Sequence, residues 1–256
     1  APFPTSLVFP RERVLAYHGH TVDQLCHDPD GAAPLSDMVA AELIVRFPAE
    51  IRRALKIAHP HLDDIDDVRP IIAVPTWVRT LAQNDAKQLG PGVVKVWRDL
   101  VESFIDNPHV SHWMKSHHRR LKRDFAQRFK LMLALSAKAK ARDEPRLTQL
   151  YYFLFKLLDA RYARSAVKAL EQKEHKGLCY VVNGHTHFAG MTPLGLVNGQ
   201  PGCYFNTGTW RTLHQLGNVV RGKPAFLAFD AMAYLVFFGE NDPLGRQFEW
   251  WQGAAM

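Results

Sequence analysis

The sequence predicts an α/β fold interrupted by a long helical insertion, and three observations carry that prediction. Two apolar runs, Arg13-Val14-Leu15-Ala16-Tyr17 and Leu178-Cys179-Tyr180-Val181-Val182, each stop abruptly where a glycine meets histidine. The stretch between them has helical rather than alternating periodicity, and it is far longer than a plain α/β crossover needs. Beyond residue 176 the chain returns to short apolar runs punctuated by Gly and Asn-Gly. The expected division is therefore 1–36 as part of an α/β core, 37–175 as a helical insertion or cap, and 176–256 as the C-terminal part of the core.

In chain order, 13–17 reads as a strand. Residues 37–47 carry Met38, Val39, Leu43 and Ile44 at helical spacing, and Pro48 is expected to end that helix. A second short helix is expected over 49–58. Residues 59–76 break the pattern with His59-Pro60-His61, the acidic run Asp63-Asp64-Ile65-Asp66-Asp67, Pro70 and Pro75. The acidic run lacks the glycine and glutamate of a calcium loop, holding Val68 and Val74 at those places, so a solvated loop is expected. Residues 93–105 read as a helix.

A basic stretch, 111–142, follows. On a helix Arg119, Lys122 and Arg123 share a face by i, i+3 and i+4 spacing. They could receive an anionic lipid, nucleotide or phosphosugar; a solvated helix face is the other reading. His112, His117 and His118 are read as surface histidines. Residues 147–173 form the last expected helix, with a dense apolar centre at 150–158. Strands are expected at 178–183, 192–197, 203–207, 225–230 and 232–238, the last two joined by a hairpin at Asp230-Ala231. The Phe248-Glu249-Trp250-Trp251 segment is expected to dock on the core, and residues 253–256 to fray.

A length of 256 residues with 47% apolar content supports one large domain, or one and a half, with a substantial core. No apolar stretch reaches the length of a transmembrane span. Ser6-Leu7-Val8-Phe9 is too short and too proline-flanked for a signal peptide. Cys26, Cys179 and Cys203 are odd in number and form no Cys-x-x-Cys. Cys179 and Cys203 are expected to be buried thiols, and the setting reducing and cytoplasmic. The net charge of +7 leaves an anionic partner open, nucleic acid and membrane surface included.

The chemistry concentrates at the two glycine stops. His18-Gly19-His20 follows the first run, and Asn183-Gly184-His185-Thr186-His187 follows the second. Residues i and i+2 share one face of a strand, and imidazole nitrogen suits Zn, Mn, Fe, Co and Ni. Two such strands side by side would bring imidazoles to one sheet edge, where open α/β sheets bind ligands. Ordinary loop histidines are the alternative. Asp23 could accept a hydrogen bond from a ligating histidine, or serve only as a turn or N-cap carboxylate. Asn206-Thr207-Gly208-Thr209-Trp210 ends a further short strand. Asn206 and Thr207 are expected to organise the turn beneath the histidines, and Trp210 to lie in the core.

Together, His18-Gly19-His20 with Asp23, Gly184-His185-Thr186-His187 and Asn206-Thr207-Gly208-Thr209-Trp210 resemble the C-terminal half of a calcineurin-like metallophosphoesterase. The resemblance covers roughly 5–36 and 177–238. That family carries five metal-binding blocks: Asp-x-His, Gly-Asp-x-x-Asp, Gly-Asn-His-Asp/Glu, a lone His beside Gly, and Gly-His-x-His. The last two stand here in order, and the first three are absent. The resemblance implies a four-layer α/β/β/α sandwich and a dinuclear site for two divalent ions such as Mn, Fe or Zn. His18 and His185 would bind one ion and His187 the other. His20 would face a phosphomonoester or phosphodiester as the catalytic group, or simply support the loop, with Gly184, Asp23, Asn206 and Thr207 in support. The missing carboxylates would belong to an N-terminal half of the same domain, making this chain a fragment that alone is expected to bind metal weakly and catalyse little.

Other metallohydrolases fit less well. A metallo-β-lactamase site continues His-x-His into Asp-His, whereas Phe188-Ala189-Gly190 follow His187 here. An amidohydrolase barrel needs later βα repeats that the sequence does not show. The remaining alternative is non-catalytic: a degenerate phosphoesterase fold binding an anionic partner through its basic insertion.

Overall fold

The computed structural model describes residues 5–23, 25–27, 31, 33–116, 133, 161–217 and 225–256. The fold is mixed α/β, with two compact units. One comprises Ala1–Asp23, Phe155–Leu213 and Ala228–Met256; the other comprises Gln24–Leu154 and His214–Leu227. The basic face Arg119, Lys122 and Arg123 lies outside the described residues.

The first unit is built on a five-stranded sheet of β1 (Ser6–Phe9), β2 (Val14–Tyr17), β4 (Tyr180–Asn183), β6 (Gln200–Thr207) and β5 (Ala189–Val197), in that spatial order. Strands β2, β4 and β6 are parallel, and β1 and β5 are antiparallel at the edges. Asn198-Gly199 joins β5 to β6 with positive φ at both residues, the two-residue hairpin that this pair favours.

Successive residues of the central strands serve opposite faces, as strand geometry requires. Leu15, Val181 and Tyr204 pack on one face against Tyr162, Ala166 and Leu170. Those three recur every fourth residue on the helix over 161–170, so one stripe of that helix covers the sheet. Asn198 Nδ2 caps the helix end by donating to the Leu170 carbonyl at 3.2 Å. Val14, Tyr180, Cys203 and Phe205 face the other way, against Leu235, Phe237, Phe248 and Trp250. Those partners belong to β8 (Phe226–Phe237) and β9 (Phe248–Ala255), which pair antiparallel from Phe237↔Phe248 to Asp230↔Ala255.

Three expectations in this region are corrected. No hairpin forms at Asp230-Ala231, because both residues are paired within β8, opposite Ala255 and Ala254. The reversal comes later, where Asp242 Oδ2 accepts from the Leu244 and Arg246 N–H groups and Gly245 takes φ +64°. Residues 253–255 do not fray but complete β9. Trp210 is 69% exposed rather than in the core, its indole N–H donating to the Ala233 carbonyl at 2.6 Å. A further strand, β7 (Arg211–Leu216), has no counterpart in the sequence reading. Its polar residues hide the alternation, although Leu213 and Leu216 are buried.

The second unit is helical: α1 (Leu35–Val39), a π-helical turn (Ala40–Val45), α2 (Arg46–Leu55), α3 (Val74–Asn84), α4 (Gly90–Asp106) and α5 (Pro108–Ser116). Its core includes Phe47, Ile51, Val78, Val93, Trp97 and Val101, with the Phe47 and Trp97 rings edge-on at 5.9 Å. Pro48 does not end the first helix. The π turn directly before it widens the ladder where the proline has no N–H to give, and the helical run continues to Leu55. Pro75 likewise opens α3 instead of breaking it, since a first-turn N–H has no intrahelical partner to lose. The acidic run is not a plain solvated loop. It lies in a 3-10 segment, Pro60–Asp67, anchored by the buried Leu62 and Ile65. The segment leads into β3 (Val68–Arg69), which pairs parallel with β7 through Val68↔His214 and Arg69↔Gln215.

Burial pushes the Cys203 thiol up to about 11 and raises the Cys179 thiol as well. Both should resist iodoacetamide at pH 8 in the folded chain and react in urea, because only the thiolate attacks. Mass spectrometry that finds either one alkylated under native conditions would contradict their placement in the sheet.

Candidate metal centre at the sheet edge

Parallel pairing of β2 with β4 sets Ala16 beside Val182, so the two strands end level with each other. Their extensions meet at once: the Gly184 N–H donates to the His18 carbonyl at 3.3 Å. The same geometry brings the His18 and His185 rings edge to face at 4.9 Å between centroids. Residues more than 160 positions apart thus share one carboxyl-terminal sheet edge.

Gly19 makes the upstream loop. Its φ is +101°, and a Cβ there would lie 2.8 Å from the Asn183 side-chain amide. The reversal it permits sets His20 back against His18, Nδ1 to Nδ1 at 3.1 Å. One of these two nitrogens must carry the proton of that bond. Partial desolvation, then the neighbouring His185 and His20 rings, hold the His18 imidazole below its ordinary value. That environment favours the neutral form, which is the form that ligates metal.

Asp23 follows the 3-10 turn His20–Val22. Its Oδ2 stands 3.6 Å from His185 Nε2 and accepts from the Tyr162 hydroxyl at 3.4 Å. The His185 and Asp23 side chains are 14% and 12% exposed, so neither is an ordinary surface loop group. His187 closes the turn that Gly184 begins: its N–H donates to the Gly184 carbonyl at 3.4 Å, with φ at +62°.

The floor beneath these loops is polar and closed. Asn206 is 4% exposed; its Nδ2 donates to Thr186 Oγ1 at 2.8 Å and to the Tyr204 hydroxyl at 3.2 Å. Its Oδ1 accepts from the Gly208 N–H at 3.0 Å. Thr207 Oγ1 donates to the Asn183 carbonyl at 3.3 Å. Asn183 is 2% exposed, and its amide nitrogen, oriented to donate, reaches the Val182 and Tyr17 carbonyls at 2.8 and 3.0 Å.

Two residues here were missed by the sequence reading. Asn183 stood in the motif without a role, yet it ties the ends of β2 and β4 together. Tyr162 was hidden within a helix, although its four-residue spacing to Ala166 and Leu170 marks it as facing the sheet.

His18 and His185 offer imidazole nitrogens suited to a single divalent transition ion, with His20 and the Asp23 carboxylate beside them. A two-ion clamp needs a bridging carboxylate and further oxygen ligands. Asp23 is the carboxylate that the described residues bring to this edge, so the set fits one ion and not two.

No protein-family model, no curated protein and no solved structure matches this chain. Among the described residues, no helix is long and apolar enough to cross a membrane.

Proposed function

We propose that this sheet edge is the histidine side of a metal-dependent phosphoesterase centre of the calcineurin-like kind. The observation that carries the reading is the convergence of His18 and His185, with Asp23 and His20, at the level ends of two parallel strands. The stacking of a helix, a mixed sheet and the β8–β9 pair supports it, being three layers of the four that the resemblance implies. The oxygen ligands of a second ion, and those that would complement His187, come from outside the described residues. Cys26, Cys179 and Cys203 form no disulfide, which is compatible with a cytoplasmic setting.

A bound divalent ion would lower the pKa of water to make hydroxide and would neutralise charge on the phosphoryl group. The protein's own groups set up the remaining steps. If His18 Nδ1–H donates to His20 Nδ1, the bare nitrogen of His18 is Nε2, free to ligate. His20 then carries its proton on Nε2, the atom from which it is given to the leaving oxygen. Asp23, held by the Tyr162 hydroxyl, orients His185.

The test is Mn²⁺ binding together with Mn²⁺-dependent hydrolysis of mono- and bis-p-nitrophenyl phosphate. The chain should bind one ion at this edge, and any turnover should require metal. His185→Ala should weaken binding by more than the roughly 10–100-fold that an outer partner is worth and abolish turnover. His20→Ala should keep the ion and lower kcat by about 10²-fold or more. Binding without any turnover is the result expected of a centre that lacks its carboxylates; supplying the missing half separates the two readings, since turnover that stays absent then moves the chain to the non-catalytic alternative. Undiminished binding by His185→Ala would remove the metal centre itself.

A further inference from the structure

The helical unit holds a second convergence of histidine and carboxylate, independent of the sheet edge. A cleft of about 550 Å³ is lined by His59, His61, Asp64, Asp85 and His214, with Trp77 on its wall. His214 enters on β7, which pairs with β3 directly after the Pro60–Asp67 segment. That pairing places His214 Nε2 3.6 Å from Asp64 Oδ2. Two donors on a tetrahedral zinc stand ~3.4 Å apart, given bonds of ~2.0–2.2 Å. His61 Nδ1 meets the same Asp64 oxygen at 2.8 Å, with its side chain 62% exposed. Its ring is therefore able to turn from the carboxylate toward a shared ion. The Trp77 ring stands edge-on to His214 at 6.4 Å and limits how that imidazole can rotate.

A buried pair supports these groups. His59 is 8% exposed, and its Nδ1 accepts the His61 backbone N–H at 3.2 Å. The ring proton of neutral His59 therefore sits on Nε2, which meets Asp85 Oδ2 at 3.2 Å. Asp85 fixes the His59 tautomer, and His59 fixes the backbone that carries His61. Groups that fix the orientation of a ligand without touching the metal tune its affinity.

We propose that His61, Asp64 and His214 form a zinc site in the helical unit, positioned by the His59–Asp85 pair. Two imidazoles and one carboxylate leave a coordination position open. The cleft presents Thr80, Asn84 and Gln88 as well. A water or a small polar ligand has room to occupy that position.

Zn²⁺ titration calorimetry and Co²⁺ visible absorption test this in the full chain. Both use a His18→Ala/His185→Ala background, which removes the sheet-edge donors. That background should still bind one Zn²⁺ and show the d–d bands of Co²⁺ in a low-symmetry N,O site. His61→Ala, a change at an exposed side chain, and the isosteric Asp64→Asn should each weaken binding beyond ~100-fold and bleach the bands. Asp85→Asn, which changes the positioning pair and none of the three proposed ligands, should cost roughly 10–100-fold with the band shape kept. Circular dichroism matching the parent confirms that each variant is folded. No Zn²⁺ bound by the background, or binding unchanged in both His61→Ala and Asp64→Asn, would overturn the proposal.

Discussion

Phe205→Ala should lower the unfolding free energy by about 3–5 kcal/mol, the largest loss available from one core position in the sheet unit. Phe205 is 0% exposed and sits on the interior strand β6. Its ring meets Phe248 at 4.9 Å and Phe237 at 6.0 Å, both edge to face, and Trp250 at 5.9 Å. Truncation loses the transfer free energy of a buried ring. It also leaves a cavity between two β-layers that cannot close without moving the β8–β9 pair. Against a typical total of about 5–15 kcal/mol, the loss is a large fraction of stability. Urea unfolding should show the midpoint falling with the slope unchanged. A loss below about 1 kcal/mol would mean that β8 and β9 do not cover this face.

Gly19→Ala should weaken metal binding at the sheet edge by roughly 10–100-fold, as loss of an outer support does, although Gly19 offers no ligand atom. Its φ of +101° suits glycine, and a non-glycine residue forced there costs about 1–3 kcal/mol. The new methyl would also stand 2.8 Å from the Asn183 amide. Asn183 cannot yield cheaply, since its amide ties the Tyr17 and Val182 carbonyls at the ends of β2 and β4. Either the His18–His20 loop opens or the two strand ends part. Both separate His18 from His185. Mn²⁺ titration of Gly19→Ala against the parent chain checks this, and equal affinities would show that the loop geometry does not govern the site.

The parts of the fold that were legible in the sequence are those whose signals are local. Strands β2 and β4 announce themselves as aliphatic runs cut off by glycine, and the histidines at those stops follow directly. Asn198-Gly199 marks its own hairpin because only a few residues tolerate positive φ. Prolines misled the reading: Pro48 and Pro75 look like breakers, yet a π turn absorbs one and a helix start accommodates the other. Strands β7 and β9 were hidden because their partners, not their own propensities, hold them in place. The pairing of β3 with β7 is non-local for the same reason, so nothing near His61 or Asp64 in sequence hints at His214. Asp23 carried an ambiguous signal, and only its approach to His185 and Tyr162 shows which groups it serves.

The division of the central strands between two cores constrains how this chain can change in length. Leu15 and Val14 are neighbours in sequence, yet one serves the helix-covered face and the other the face beneath β8–β9. Deleting a single residue from β2 or β4 would therefore exchange the inhabitants of the two cores wholesale. Deleting two would restore the faces but draw the following histidine back by roughly 6.6 Å along the sheet, beyond reach of its counterpart. Insertions and deletions should accordingly be excluded from these short strands, while the Asp242–Gly245 turn between β8 and β9 has no such tie and can lengthen freely.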